Sequence, residues 1–173
     1  HYLAKGGNLN SLLSELYGKE TGCAKGKGGS MHLFDLKAGL IAAVPIVGST
    51  LPIGVGVAWE MVRKQIPGIV VIYFGDGATE EGVFSESLDF SRLKNLPVLF
   101  VCENNFYSVY TPIELRQSPL REITKIAAAH GIASKKGDGN SIEEIYSLSG
   151  QALSYIREKS EPFFLELYTY RWM

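Results

Sequence analysis

The sequence predicts an α/β fold with a mostly parallel sheet flanked by helices. Two unbroken apolar runs, 69–74 and 97–102, are typical of parallel strands that are covered on both faces. A third apolar run spans 162–170, and helical patterns lie between the runs. Because strands that alternate with helices favour a parallel sheet, functional residues are expected at the carboxyl ends of the strands.

Two further strands and five helices complete this prediction. Residues 40–47 and 131–135 are predicted as strands, although Pro45 interrupts the hydrogen bonding of the first. The helices are predicted where apolar residues have helical spacing or where a capping signal occurs. They span 9–17, 49–65, 82–94, 119–130 and 141–158.

Local signals support several of these helices. The leucines of the first helix lie on one stripe, and Gly18 can end it. Gly54 and Gly56 lower the helix propensity of the second helix but allow another element to pack closely against it. We interpret them as sites of helix–helix contact, and a subunit interface is one location for that contact. The last helix opens with a capping box formed by Ser141 and Glu144.

Composition and charge exclude several classes of protein. Hydrophobic residues make up 46% and charged residues 20%, as in ordinary soluble domains. The formal net charge of −1 gives no sign of a nucleic-acid or acidic-membrane partner, and no apolar run is long enough to cross a bilayer. Two distant cysteines, Cys23 and Cys102, are expected to be reduced thiols in a cytosol-like compartment.

The length of 173 residues suits a single domain, 1–173. The sequence begins at His1 without an initiator Met and stops at Met173 just after a strand-like run. We therefore expect a piece of a longer chain that is truncated at both ends.

A glycine-rich segment, GCAKGKGGSMHLFD at 22–35, has neither helical nor strand periodicity. Its glycines and its basic Lys25, Lys27 and His32 predict a loop that becomes ordered when it binds a ligand. His32 is a candidate for contact with a substrate carboxylate or a reaction intermediate. A loop histidine with a backbone partner is the alternative.

The sharpest chemical signal follows the first strand, where Asp76 stands between Gly75 and Gly77. The glycines let a ligand approach the backbone, and the next helix begins nearby, where its free N–H groups favour an anion. A carboxylate beside an anion is repulsive unless a cation lies between them. The arrangement therefore suggests Mg²⁺ or Ca²⁺ bridging Asp76 to a phosphate, with a plain Asp-Gly turn as the alternative.

A matching signal follows the second strand, which ends at Asn104 and Asn105. Asn105 lies 29 residues after Asp76, which suits one helix and one return strand. An asparagine oxygen is a neutral hard ligand for Mg²⁺, and the carbonyl of Phe106 or Tyr107 could add another oxygen. A left-handed loop is the alternative reading of the asparagine pair.

These motifs resemble the alpha subunit of the thiamine-diphosphate-dependent 2-oxo acid dehydrogenases, a family that includes pyruvate, branched-chain 2-oxo acid and acetoin dehydrogenases. The resemblance covers nearly the whole chain, and the motifs occur in the family's order. The segments that carry it are GCAKGKGGSMHLFD, PIVGSTLPIGVGVA, GDGATEEGVFSESLDFSRLKNLPVLFVCENNFYSVYTP and FFLELYTYRW. It implies a thiamine-diphosphate-binding fold with thiamine diphosphate and Mg²⁺ as cofactors.

The resemblance also implies roles for individual residues. Mg²⁺ would be bound by side-chain oxygens of Asp76 and Asn105 and by the main-chain carbonyl of Tyr107. His32 is the implied catalytic residue. The implied cofactor-binding residues are Ile46, Val47 and Gly48 beneath the aminopyrimidine, and Gly75, Asp76, Gly77, Ala78 and Asn105 near the diphosphate.

By the same resemblance, the chain would decarboxylate a 2-oxo acid such as pyruvate and transfer the acyl group to a lipoyl acyltransferase carrier. A beta subunit would complete the active site, in an α2β2 assembly. An acetoin dehydrogenase alpha subunit and a non-catalytic α/β assembly module are the alternatives. A cytoplasmic location is expected rather than the mitochondrial matrix, because YTYRWM departs from the mitochondrial pattern, in which a histidine follows.

Other polar residues are interpreted as structural. Glu80 and Glu81 are expected to complement the dipole of the helix that follows them. His130 is expected to stabilise a helix end. The second GDG, around Asp138, has no asparagine pair after it and predicts a plain turn.

Overall fold

The computed structural model describes residues 1–172, and its contacts divide the chain into two compact units. The first unit is His1–Thr50, and the second begins at Leu51. The single domain over 1–173 stays a prediction. No helix within residues 1–172 is both long and apolar enough to span a membrane.

The described residues form five α-helices and six strands, and most of them match the prediction. The helices are α1 (Leu9–Leu16), α2 (Thr50–Arg63), α3 (Gly82–Leu93), α4 (Ile123–Ala129) and α5 (Ile142–Lys159). The strands are β1 (Val70–Gly75), β2 (Val98–Asn104), β3 (Tyr107–Ser108), β4 (Thr111–Pro112), β5 (Ala133–Asp138) and β6 (Phe163–Tyr168).

A four-stranded parallel sheet in the order β1-β2-β6-β5 forms the centre of the second unit, which confirms the predicted fold class. Gly75 pairs with Glu103 at the end of the first two strands. Asp76 therefore leaves β1 at the level where β2 reaches Asn104, so the two polar motifs meet at one edge of the sheet.

Helices cover the two faces of this sheet unequally. In β2, Phe100 packs with α2, α3 and α4, while Val101 packs with α5 on the opposite face. The prediction of a doubly covered strand is wrong for β1, where Val71 and Tyr73 are 39% and 42% exposed. The physical reason is that α5 packs on β2, β5 and β6 and leaves the outer face of the β1 edge uncovered within the second unit.

An aromatic cluster supports the carboxyl edge of the sheet. Phe74 lies 6.0 Å from both Phe84 and Phe164 between ring centroids, and the last two are 6.1 Å apart. Aromatic pairs of this kind add about 0.5–1.5 kcal/mol each beyond the burial of their area. The cluster ties α3 to the strand that leads into Asp76.

Three predicted elements differ from the structure. Residues 40–47 do not form a strand, because their only β-bridge is an isolated one from Leu40 to Asp35, and Pro45 lacks the N–H that a ladder requires. The fourth helix begins at Ile123 rather than 119, because a turn in which Arg121 N–H donates to the carbonyl of residue 118 precedes it. The strand predicted at 131–135 is present but lies at 133–138.

Glycine packing in α2 also differs from the interpretation. A Cβ on Gly54 would lie 2.5 Å from Ile72 Cδ1, so Gly54 packs against the sheet and not against another helix. A Cβ on Gly56 would have no neighbour within 4 Å among the described residues. A subunit contact at Gly56 therefore stays a prediction.

In the first unit, α1 is confirmed, but the side of the helix that is buried was unexpected. Leu9, Leu13 and Leu16 are 54%, 45% and 49% exposed, whereas Glu15 is fully buried. The Glu15 carboxylate accepts hydrogen bonds from backbone N–H groups of the glycine-rich loop 22–35. The donors are Ala24 at 2.8 Å, Gly26 at 2.8 Å, Gly28 at 2.6 Å and Gly29 at 3.2 Å.

Both cysteines are free thiols, as the sequence predicted. Cys102 is fully buried in β2, and burial raises the pKa of its thiol well above the ordinary value. A thiol in that state is a poor nucleophile, which is consistent with a packing role.

Candidate functional site

The candidate site lies at the carboxyl edge of the sheet in the second unit. Asp76 follows β1 directly and begins a 3₁₀ turn, Asp76–Glu80, and its side chain is only 1% exposed. The Thr79 hydroxyl donates to the Asp76 carbonyl at 2.7 Å, and Arg121 donates to the Thr79 carbonyl at 2.6 Å. These bonds fix the turn and hold the Asp76 backbone in place.

The two carboxylate oxygens of Asp76 have different environments. Oδ2 accepts a hydrogen bond from the guanidinium of Arg116. Oδ1 is buried and has no hydrogen-bond partner among the described residues. A buried polar atom without a partner is costly and rare, so Oδ1 is the atom in this site that best fits a bound cation.

The two glycines beside Asp76 serve different purposes. A Cβ on Gly75 would lie 4.0 Å from its nearest neighbour, the Glu103 carbonyl oxygen, which leaves room beside the strand end. A Cβ on Gly77 would lie 2.6 Å from Ser108 Oγ, so the missing side chain lets the β3–β4 hairpin approach the turn. Ala78 is 3% exposed, and its side chain packs in the core.

Asn104 and Asn105, which the sequence presents as a pair, are separated by the structure into different environments. Asn104 is buried; its Nδ2 donates to Glu166 Oε1 at 2.8 Å and its Oδ1 accepts from Phe106 N–H at 3.0 Å. Asn105 is half-buried, and its Oδ1 accepts from Tyr107 N–H at 2.9 Å. An amide oxygen has a second lone pair, so Asn105 retains the capacity to bind a cation.

The backbone beyond the asparagines distinguishes the two candidate carbonyls. The Phe106 carbonyl accepts from Ile113 N–H at 2.8 Å. Hydrogen-bonded and non-hydrogen-bonded pairs alternate along an antiparallel ladder, and Tyr107 lies opposite Pro112, which has no N–H to donate. Tyr107 is therefore the better candidate for a carbonyl ligand. The left-handed residue of this loop is Phe106, with φ +64°, and not either asparagine.

The other predicted site residues belong to the first unit. Ile46 and Val47 are 70% and 55% exposed, and Gly48 has φ +81°. His32 is exposed, and its backbone N–H donates to the Gly28 carbonyl at 3.1 Å. The sheet thus brings together the predicted residues from Gly75 to Tyr107, and the roles of His32 and of residues 46–48 stay predictions.

Sequence reasoning missed Arg116. Its guanidinium pairs with both Asp76 and Glu80, and Gln117 Nε2 also donates to Glu80 Oε1 at 2.6 Å. The interpretation of Glu80 as a helix-dipole charge is wrong, because Glu80 lies in the turn before α3 and faces Arg116 instead. Glu81 occupies the N-cap of α3 without a side-chain capping bond. No periodicity or motif marked Arg116 in the segment before α4.

Two structural predictions made for residues outside the site are confirmed. The second GDG is a plain turn, in which Asp138 Oδ1 accepts from Asn140 N–H at 2.8 Å. His130 caps α4 and its Nδ1 lies 2.5 Å from Asp89 Oδ1.

A different kind of metal site is not found. No group of three or more His, Cys, Asp or Glu residues that could hold a metal occurs within residues 1–172. The predicted ligand set does not depend on such a group, because it consists of one carboxylate, one amide and one main-chain carbonyl, with further oxygens from a diphosphate.

Comparison with known proteins gives matches along the whole chain. Residues 1–173 match the family described as "Dehydrogenase E1 component". The alpha subunit of acetoin:2,6-dichlorophenolindophenol oxidoreductase from Bacillus subtilis is 40% identical over 171 residues, which are 99% of this chain and 51% of that protein. The pyruvate dehydrogenase E1 component subunit alpha from Rickettsia conorii is 40% identical over 172 residues, which are 99% of this chain and 52% of that protein. The chain thus spans about half the length of these relatives.

Solved structures support the fold. Transketolase from Campylobacter jejuni matches with a TM-score of 0.64 and 20% identity, over 77% of this chain and 21% of that one. An enzyme from Mycobacterium smegmatis that is provisionally assigned as thiamin diphosphate-dependent matches with a TM-score of 0.61 and 21% identity, over 77% of this chain and 24% of that one. Both likenesses concern the architecture of the sheet and its helices.

Proposed function

Because this chain belongs to the dehydrogenase E1 component family, we propose that it is the thiamine-diphosphate-binding alpha subunit of an enzyme that decarboxylates a 2-oxo acid such as pyruvate. The acyl group would pass to a lipoyl carrier. The observation that carries the proposal is the buried, unpartnered Oδ1 of Asp76 at the meeting point of two strand ends. Such an oxygen suits Mg²⁺ held between the protein and a diphosphate.

The residues of this chain would bind and orient the cofactor. Asp76 Oδ1, Asn105 Oδ1 and the Tyr107 carbonyl would hold Mg²⁺, and backbone groups of Gly77 and Ala78 would contact the diphosphate. When bound, thiamine diphosphate would supply the carbon nucleophile that attacks the 2-oxo carbonyl, and its ring would accept the electron pair released with carbon dioxide. His32 would contact the substrate, and residues 46–48 would lie beneath the pyrimidine.

The names of the relatives support one part of the proposed assembly, the beta subunit. Two of them are named as alpha subunits, which supports a beta subunit as partner of this chain. We further propose that the two subunits form an α2β2 assembly in the cytoplasm and serve a lipoyl acyltransferase. The beta subunit would supply the groups that complete the active site.

The test measures the thermal unfolding of the full alpha–beta assembly with and without Mg²⁺ and thiamine diphosphate. At ligand concentrations about 100 times Kd, one site stabilises the folded state by about 2.7 kcal/mol. Asp76→Asn removes the negative charge and replaces Oδ2 with an NH₂ group that cannot accept from Arg116, so it should abolish this gain. Asp138→Asn is the matched control, because it makes the same change in the other GDG and should leave the gain intact. No gain in the wild type would refute the proposal and favour a non-catalytic assembly module.

An acetoin-cleaving enzyme is the second candidate, because the acetoin oxidoreductase subunit is as similar to this chain as the pyruvate dehydrogenase subunit. Reduction of 2,6-dichlorophenolindophenol by the assembly, with pyruvate, branched-chain 2-oxo acids or acetoin as substrate, separates the two. Turnover of acetoin alone would select the second candidate.

A further inference from the structure

Arg116 forms a charged fork between two carboxylates of the site. Its guanidinium donates to Asp76 Oδ2 and Glu80 Oε1, and its Nε donates to the Thr111 carbonyl at 3.2 Å. The Arg116 side chain is 10% exposed, so these contacts are largely shielded from solvent. A planar guanidinium with this many partners has little rotational freedom.

The contact with Arg116 fixes the orientation of the Asp76 carboxylate. With Oδ2 fixed on Arg116, rotation about the Cβ–Cγ bond is blocked and Oδ1 points to one place. That oxygen is the buried atom without a partner. Carboxylates that bind metals are commonly held by such a hydrogen bond from outside the metal's ligand set.

The charges around Asp76 have opposite effects on the binding of the cation and of the diphosphate. Asp76, Glu80 and Arg116 together carry one excess negative charge, and the Arg121 guanidinium, which donates to the Thr79 carbonyl in the same turn, offsets it. The positive charge of Arg116 would weaken the binding of a divalent cation by repulsion, but it would strengthen the binding of the diphosphate that accompanies the cation. Because Mg²⁺ requires near-ideal octahedral geometry, we give the orienting effect more weight than the repulsion.

We propose that Arg116 is the positioning residue of the cation site, which holds Asp76 Oδ2 so that Oδ1 is presented to Mg²⁺. The proposal rests on the proposed function. Glu80 contributes to this positioning, because it pairs with the other terminal nitrogen of the guanidinium. Loss of such an outer partner typically lowers metal affinity about 10- to 100-fold.

The experiment measures the dissociation constants of Mg²⁺ and of Ca²⁺ for the alpha–beta assembly by calorimetry at a fixed thiamine diphosphate concentration. Arg116→Met should raise the constant for Mg²⁺ about 10- to 100-fold. It should raise the constant for Ca²⁺ less, because Ca²⁺ tolerates irregular coordination. Arg116→Lys keeps the charge but not the fork, and should fall between the wild type and Arg116→Met. Arg157→Met, on the exposed end of α5, is the control.

The outcomes separate this inference from the proposed function. Wild-type protein that binds neither cation with the cofactor would refute the proposed function. Wild-type protein that binds Mg²⁺, together with an unchanged or lowered constant in Arg116→Met, would overturn the positioning role. If Arg116→Met fails to fold, Glu80→Gln tests the same fork, and it should raise the constant for Mg²⁺ more than that for Ca²⁺. Equal effects on both cations would overturn the role.

Discussion

Substitution of the two adjacent asparagines at the end of β2 should affect different properties, with Asn104 important mainly for stability and Asn105 mainly for cofactor binding. Asn104→Ala removes the hydrogen bond to the Glu166 carboxylate at 2.8 Å and the bond from Phe106 N–H at 3.0 Å. A bond to a charged group contributes about 1.5–3 kcal/mol and a neutral one about 0.5–1.5 kcal/mol, so the loss should be about 2–4.5 kcal/mol. Asn104 and Glu166 are 2% and 4% exposed, so bulk water does not replace the lost partners without rearrangement.

Urea unfolding of the full chain without cofactor, followed by circular dichroism, measures this effect. With a slope of about 2–3 kcal/mol per molar urea, the midpoint should fall by about 1–2 M. Asn105→Ala is the matched control. It loses one bond, from Tyr107 N–H, on a half-buried side chain, and should cost about 0.5–1.5 kcal/mol. The same variant should lose the stabilisation by Mg²⁺ and thiamine diphosphate.

A double-mutant cycle isolates the interaction itself. Asn104→Ala, Glu166→Ala and the double variant should give a coupling energy of more than about 1 kcal/mol, since the two side chains are in direct contact. A coupling below about 0.5 kcal/mol, or equal midpoints for Asn104→Ala and Asn105→Ala, would refute the division of labour between the two asparagines.

Two further substitutions test the turn and the glycine-rich loop. Gly77→Ala should lower the free energy of unfolding by about 1–3 kcal/mol, because its Cβ would lie 2.6 Å from Ser108 Oγ and 3.0 Å from Ser108 Cβ. Gly82→Ala is the control, and it should be neutral or stabilising in urea unfolding because its Cβ would have no neighbour within 4 Å. Equal effects of the two substitutions would contradict the close approach of the hairpin. Burial by itself raises the pKa of Glu15. The hydrogen bonds from the backbone N–H groups of Gly26, Gly28, Ala24 and Gly29 lower it by more, so the pKa of Glu15 lies below the ordinary value. Its stabilising effect should be present above the ordinary carboxyl pKa and be lost as the pH falls through the lowered value. Glu15→Gln should therefore unfold at a lower temperature at pH 7 and lose less stability on acidification than the wild type, and parallel pH profiles would contradict this role.

The sequence predicted the sheet and its functional edge because both depend on local signals. Apolar runs such as that of β2 report burial directly, and Asp76 and Asn105 occur where such runs end. The parallel pairing of β1 and β2 then brings these ends together without any further information. The exposure of the outer face of β1 was not predictable, since it depends on which strands α5 covers and not on the composition of β1.

The sequence did not reveal residues whose role comes from long-range pairing. Glu15 lies outside the leucine stripe of α1, yet its carboxylate is the buried group, whereas Leu9, Leu13 and Leu16 on the stripe are exposed. The residue pattern of the helix does not indicate that Glu15 accepts hydrogen bonds from backbone N–H groups of a loop nine to fourteen residues away. A loop with many glycines and few side-chain acceptors has to find one elsewhere, and this requirement is a usable signal.

Arg116 shows the same limitation at the site itself. It lies 40 residues from Asp76 in a segment without periodicity, and only the fold places its guanidinium on the carboxylate. A buried carboxylate needs a compensating charge, so Asp76 in an apolar environment predicts that some cation must be near it. The sequence suggested a metal ion for that purpose. The structure adds a guanidinium on one oxygen and leaves the other oxygen without a partner, so the two cations would occupy different atoms of one carboxylate. The geometry of a cation site at Asp76 is therefore set as much by the residue that holds the far oxygen as by the ligands themselves.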